Sequence, residues 1–155
     1  MMHTSDTAPI SIETIAEHCI AVRLRMLSRV VTRLYNQALR PYGLSVNQMN
    51  ILTAVSCLGE TRPHDVCQAL YLEKSTLSRD VRRMRQQGWL EAVPGADGRA
   101  MRLRITLAGS RRLEQAIPAW QQAQEQATAL LGQHEVSTLR RAAAALRTKS
   151  TATRQ

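Results

Sequence analysis

The chain has 155 residues and carries 21 Lys and Arg against 12 Asp and Glu, a net charge of +9. With 44% apolar residues it suits one domain with its own core, which excludes a disordered basic tail. It contains no run of 18 apolar residues and only 3% aromatics, with Phe absent, which excludes a spanning helix and leaves Leu, Val, Ile, Ala and Met as the expected core.

The opening MMHTSDTAPI is polar and lacks a basic stretch followed by an apolar one, so no secretory signal and a cytoplasmic location are expected. Residues 12 to 40 read as one long amphipathic helix. Ile15, Cys19, Val22, Met26, Val30 and Leu34 recur at steps of three and four, and Leu27, Val31 and Ala38 widen the stripe. Arg23, Arg25, Arg29 and Arg33 take the flanks and the opposite face. Pro41, followed by Tyr42-Gly43, ends it. Such a helix is long for a domain of this size and is expected to pack against more than its own domain.

Ser45 then stands as an N-cap with Gln48 three residues on, a capping-box pattern. The helix it opens has Val46, Met49, Leu52, Val55, Cys57 and Leu58 as its expected buried side, and Gly59 closes it. A short helix starts at Pro63, which suits a first helical position, and runs through Val66, Cys67 and Leu70 to Tyr71. After a tight connection comes LEKSTLSRDVRRMRQQG, in which Leu77, Val81 and Met84 face inward at i, i+4 and i+7. At about 100° per residue the opposite face holds Ser75, Arg79, Arg82, Arg83 and Gln86, with Thr76 and Ser78 at its edges. A solvated basic face accounts for any one of these arginines. Three of them beside Ser and Gln, directly after a short helix and a turn, point to a face that reads DNA.

Gly88 ends that helix and the period changes. Trp89, Leu90 and Val93 lead into Pro94-Gly95-Ala96-Asp97-Gly98. Met101, Leu103, Ile105 and Leu107 then alternate with Arg102, Arg104 and Thr106, a β-hairpin with a basic outer side. From Lys74 to Arg112 there are nine Arg and one Lys against Asp80, Glu91 and Asp97, which is ten minus three, or +7 of the +9. Arg outnumbers Lys 19 to 2 in the whole chain, a bias that explains Arg in place of Lys but not the clustering. The cluster implies an anionic partner, most simply double-stranded DNA.

A second long helix is expected after Gly109, to Leu131, with Leu113, Ile117, Trp120, Ala123, Ala127 and Leu130 along it and Pro118 kinking or splitting it. A last helix from Glu135 to Leu146 carries Val136 and Leu139, and the polar tail from Arg147 is expected to fray. The fold class is mainly α with a small β-hairpin wing, in the order α-α-α-α-β-β-α-α.

Two helices in a tight turn followed by a basic hairpin make a winged helix-turn-helix. From YGLSVNQMNIL through RPHDVCQALYLEKSTLSRDVRRMRQQGWLE to DGRAMRLRITLAG, the sequence resembles the MarR family of bacterial transcriptional regulators. DGRAMRLRITLAG looks like the family's wing, STLSRDVRRMRQQGWL like its recognition helix and exit, and the long end helices like its dimerisation domain. The resemblance implies residues 1–40 as an N-terminal dimerisation helix, 41–108 as the DNA-binding lobe, 109–148 as C-terminal dimerisation helices and 149–155 as a disordered tail. It also implies an obligate homodimer on a pseudopalindromic operator, nucleoid-associated when bound, acting as a repressor released by a small ligand or an oxidant.

Carried over residue by residue, Ser75, Thr76, Ser78 and Arg79 are implied as recognition-helix contacts and Arg99 as the wing-tip arginine, held by an ion pair to Asp97. A plain turn dipeptide is the other reading of Asp97-Gly98. Arg82, Arg83, Arg102 and Arg104 are expected on phosphates, with Gln86 on the same face. The resemblance places an effector crevice beside the first long helix and the Ser45–Leu58 helix, where His18, Arg25, Arg29, Asn47 and Gln48 supply polar groups. Arg among Met and Leu walls suits a small anionic aromatic ligand.

Cys19, Cys57 and Cys67 are an odd number at wide spacing and fit neither a disulfide framework nor a zinc site. Cys19 lies near the position where the family's peroxide-sensing members keep a reactive thiol, displaced by about two residues, roughly 200° round a helix. Val46 stands where those sensors have a tyrosine. A small buried side chain on the apolar stripe is one reading of Cys19, redox sensing the alternative. Cys57 and Cys67 are expected in the core. His3, His18, His64 and His134 form no cluster with carboxylates or thiols, so no metal is expected. Without a Gly-rich phosphate loop, Gly-x-Ser-x-Gly or paired His, no enzyme and no cofactor are expected either. A nonspecific architectural DNA-coating protein remains the other non-enzymatic reading. The wing and the long end helices favour a site-specific regulator over it.

Overall fold

The computed structural model of the chain describes residues 10–96, 98 and 100–152. They fall into two compact units that meet in sequence between Arg33 and Leu34. The first unit holds α1 (Ile12–His18) and α2 (Ile20–Leu39) as far as Arg33. The Ser11 hydroxyl caps α1 by accepting the Thr14 amide at 3.2 Å. The single helix expected over residues 12 to 40 is therefore two. At Cys19 the backbone becomes extended (φ −66°, ψ 107°), its N–H reaches back to the Ile15 carbonyl, and α2 starts one residue later. Arg23 reaches back over the break, its Nη2 donating to the Glu17 carbonyl at 2.7 Å, which satisfies an acceptor at the end of α1. No glycine or proline marks the place, so the apolar period runs through it unbroken. Along much of the first unit that stripe is uncovered: Ile15 is 58%, Met26 55% and Val30 51% exposed.

The second unit continues from the end of α2 through a 3₁₀ turn (Arg40–Tyr42) into α3 (Val46–Leu58), α4 (Pro63–Leu70) and α5 (Lys74–Gln86). A hairpin of β1 (Leu90–Pro94) and β2 (Met101–Ile105) follows, then α6 (Leu107–Leu131) and α7 (Gln133–Ala152). Pro41 lies in the 3₁₀ turn, and Gly43, at φ 68°, closes it in the left-handed region. The capping box forms as expected: Ser45 Oγ accepts the Gln48 amide at 3.2 Å and Gln48 Oε1 accepts the Ser45 amide at 3.1 Å. Asn36 Oδ1, from α2, accepts the Val46 amide at 2.8 Å and joins the two helices. Leu39, Ile51, Leu52, Val55, Val66, Leu77 and Met84 are the largest fully buried side chains, so the core sits where α2, α3, α4 and α5 converge. Cys57 and Leu58, expected on the buried side of α3, are exposed because the last turn of the helix runs past this core.

The strands pair antiparallel from Leu90↔Ile105 to Pro94↔Met101. Of the alternating apolar set only Leu103 is buried and Ile105 half-buried. Met101 is exposed beside the turn, and Leu107, which is also exposed, is already the first residue of α6.

The α6 helix begins two residues ahead of the expected Gly109. Thr106 is its N-cap: the hydroxyl accepts the Gly109 amide at 3.0 Å and donates to the Gly88 carbonyl at 2.6 Å. Its own amide donates to the Trp89 carbonyl at 3.0 Å. Gly109 lies so close to that carbonyl that a Cβ would stand 2.2 Å from the oxygen. The kink or split expected at Pro118 does not divide the helix; α6 is continuous from Leu107 to Leu131. Leu113, Ala116 and Ala119 pack on the core and Ala123 and Ala127 are buried, so contacts on both sides offset the hydrogen bond that proline lacks. The last helix reaches Ala152, six residues beyond Leu146, so residues 149–152 of the expected tail are helical and 153–155 lie outside the described residues. Among the described residues no helix is long and apolar enough to cross a membrane.

Candidate nucleic-acid interface

The surface of α5 follows from what its other side buries. Leu77 and Met84 are sunk in the core and Val81 is half-buried, which turns Ser75, Arg79, Arg82, Arg83 and Gln86 outward. Ser78 is exposed on one flank, and Thr76 is half-buried on the other. Arg85, which carries no expected role, is also exposed. Among the described residues no ion pair engages Arg79, Arg82, Arg83 or Arg85, so the helix presents four guanidinium groups outside any salt bridge. Its one acid, Asp80, is half-buried; burial pushes its carboxyl above the usual range, and Arg83 and Arg79 pull it partly back.

A groove of about 1280 Å3 is lined by residues of α4, α5 and β1, which pack on one another beneath it. Ser78, Arg82 and Arg85 line one wall, His64 and Cys67 of α4 the other, and Ala92 of β1 the end. Burial, and secondarily Glu73, pushes the Cys67 thiol up and away from the reactive thiolate. The α5 arginines thus fall on two ridges: Arg79 and Arg83 away from the groove, Arg82 and Arg85 along it.

In the wing, two of the expected phosphate-binding arginines are engaged within the protein. Arg104 Nε donates to Glu91 Oε1 at 2.8 Å and its Nη1 to Glu60 Oε1 at 2.8 Å. Both carboxylates, Glu91 foremost, raise the guanidinium above its ordinary value. Arg102 Nη1 donates to the Glu60 carbonyl at 3.3 Å. The turn closes by a 2.7 Å bond from the Gly95 amide to the Ala100 carbonyl. Asp97 and Arg99, the expected wing-tip pair, lie outside the described residues. Trp89 anchors the wing's root in the core, and Arg112 stacks on its ring at 5.6 Å.

The residues expected at an effector crevice are divided between the two units. His18, Arg25 and Arg29 are exposed in the first, and His18 Nδ1 bonds the Thr14 carbonyl at 3.1 Å. In the second, Asn47 is exposed, and Gln48 is buried with its side-chain oxygen committed to the capping box. Cys19 is half-buried at the α1–α2 break; Cys67 is half-buried, and Cys57 exposed.

A short helix, a turn, an amphipathic basic helix and a two-stranded wing define a winged helix-turn-helix DNA-binding lobe. The MarR family model matches residues 42–100, the span from the 3₁₀ turn to the wing turn. The multiple antibiotic resistance protein MarR of Salmonella typhimurium is 28% identical over 91 residues, covering 58% of this chain and 63% of that protein, a little under two thirds of its length. The M. tuberculosis transcriptional regulator MOSR, solved in complex with DNA, is 30% identical over 88% of this chain and 99% of that one, with a TM-score of 0.73. A mutant MarR from E. coli, solved with operator DNA, shares the fold at 22% identity, covering 88% of this chain and 99% of that one at a TM-score of 0.76. The chain belongs to the MarR family of DNA-binding transcriptional regulators, a family and fold that are not those of enzymes.

Proposed function

We propose that the chain is a homodimeric repressor whose two α5 helices enter successive major grooves of a pseudopalindromic operator, and which a small anionic aromatic ligand releases. The observation that carries the DNA part is the α5 surface, where core burial of Leu77 and Met84 presents Ser75, Arg79, Arg82 and Gln86 together with no acid paired to the arginines. Forked donors and short hydroxyls are the groups that reach base edges and phosphates in a major groove. The uncovered stripe of Ile15, Met26 and Val30 supports dimerisation, because a contiguous apolar surface of that kind marks a face that a partner covers. The two reading helices would then address half-sites about 34 Å apart. Release requires a ligand that prefers the conformer mismatched to that spacing, with a coupling on the order of 1–3 kcal/mol.

Selection from a random duplex pool tests the first part: recovered sequences should be inverted repeats with centres about one helical turn apart, and single unpaired half-sites would overturn it. A melting screen of phenols, aromatic acids and peroxides, with and without the recovered duplex, tests the second. A ligand should raise the melting point of the free protein and weaken the duplex complex. Release by hydroperoxide in the parent but not in Cys19→Ser would instead assign it to thiol oxidation.

A further inference from the structure

We propose that Arg104 is a positioning residue that fixes the angle of the wing against the helix-turn-helix, and that it contacts no phosphate. The inference rests on reading this lobe as a DNA interface. The strand register sets Glu91 directly opposite Arg104, and the guanidinium bonds that carboxylate through Nε while Nη1 takes Glu60, in the loop that joins α3 to α4. One cation between two carboxylates carries a net charge of −1, so the site has no positive charge left for a phosphate. The neighbouring backbone points the same way. Thr61 and Leu103 exchange two hydrogen bonds, amide to carbonyl, at 3.1 and 2.7 Å, and among the described residues this is the one backbone bridge between the β2 edge and the loop.

One bridged residue pair is a pivot. The hairpin's root is held by Trp89, and its edge by this bridge and the Arg102 bond to the Glu60 carbonyl. It keeps a swing about that line, which Arg104 limits by tying the next residue of β2 both to its partner strand and to the loop. Because Glu60 lies one residue past the α3 cap and three before α4 begins, the tie refers the wing to the two helices that carry α5. The groups are about half-exposed, so each pair by itself contributes little to overall stability. What they set is orientation.

The test uses the full chain, a duplex enriched from a random pool by that chain, and a random duplex of equal length, titrated from 50 to 200 mM NaCl. Arg104→Ala should bind the enriched duplex about fivefold more weakly with an unchanged salt slope. Arg104→Lys should behave like Arg104→Ala, because a compact ammonium lacks the two separate donor edges; a phosphate contact would survive that change. The double variant Glu60→Gln with Glu91→Gln adds two units of positive charge and should nonetheless lower the preference for the enriched duplex over the random one. A slope reduced by about 0.9 in Arg104→Ala, rescue by Lys, or a raised preference in the double variant would each overturn the proposal. A second measurement needs no DNA: amide exchange at Thr61 and Leu103 should rise together in Arg104→Ala and Arg104→Lys. Unchanged exchange rejects the clamp whatever the DNA does. A parent chain that prefers no duplex rejects the regulator reading while exchange still judges the clamp.

Discussion

At Gly109 the absence of a side chain is a packing requirement, since the Trp89 carbonyl oxygen occupies the space a methyl group would need. A rigid backbone atom cannot rotate away, so Gly109→Ala is expected to destabilise the chain by about 1–3 kcal/mol and to lower its urea midpoint at unchanged m-value. Asp80 gives a pH signature of determinate sign. Its carboxyl is raised in the folded chain, chiefly by burial, so between the unfolded and folded values the native state holds the proton more tightly. Stability therefore falls as pH rises through that window and stays at the lower level above it. Asp80→Asn should melt higher than the parent at about pH 7 and converge with it at about pH 3, below the unfolded value. A difference that widened on acidification would mean that the carboxylate stabilises the fold.

On the α5 helix, the exposed arginines separate by task. Replacing Arg82 with Ala should weaken binding to every duplex and lower the salt slope by about 0.9, the signature of one lost phosphate contact. Replacing Arg79 with Ala should cost about 1–3 kcal/mol on the selected duplex and far less on random DNA; equal losses on both would remove its base-reading role. The sequence made these elements legible wherever the determinant was local. The Ser45–Gln48 capping box, the helix opened by Pro63 and the burial of Leu77 and Met84 all depend on residues within one or two turns. The break at Cys19 escaped because its apolar period is uninterrupted. The engagement of Arg104 escaped because Glu60 is 44 positions away, a distance across which no periodicity speaks. Met101 and Leu107 alternate correctly with their neighbours yet lie beyond the core's edge, since alternation assigns a face and not the extent of what covers it.

For the whole molecule, the uncovered stripe of the first unit makes association the property most sensitive to one substitution. A charge at Met26, 55% exposed here, would be desolvated in any apolar interface built on α2. Met26→Asp should shift sedimentation at micromolar concentration from dimer to monomer, and the enriched duplex should then bind as two independent half-sites. An unaltered dimer would move the interface away from this stripe.

The bridge between Thr61 and Leu103 also orders events in time. It joins positions 42 apart, and all of α4, α5 and β1 lie on the intervening chain. Closing so long a loop before those elements are compact costs entropy that two hydrogen bonds cannot return. The wing should therefore dock late, after the folding barrier has been crossed. In stopped-flow experiments Leu103→Ala, which empties a buried site, should refold at nearly the parent rate and unfold faster by almost its full loss of stability.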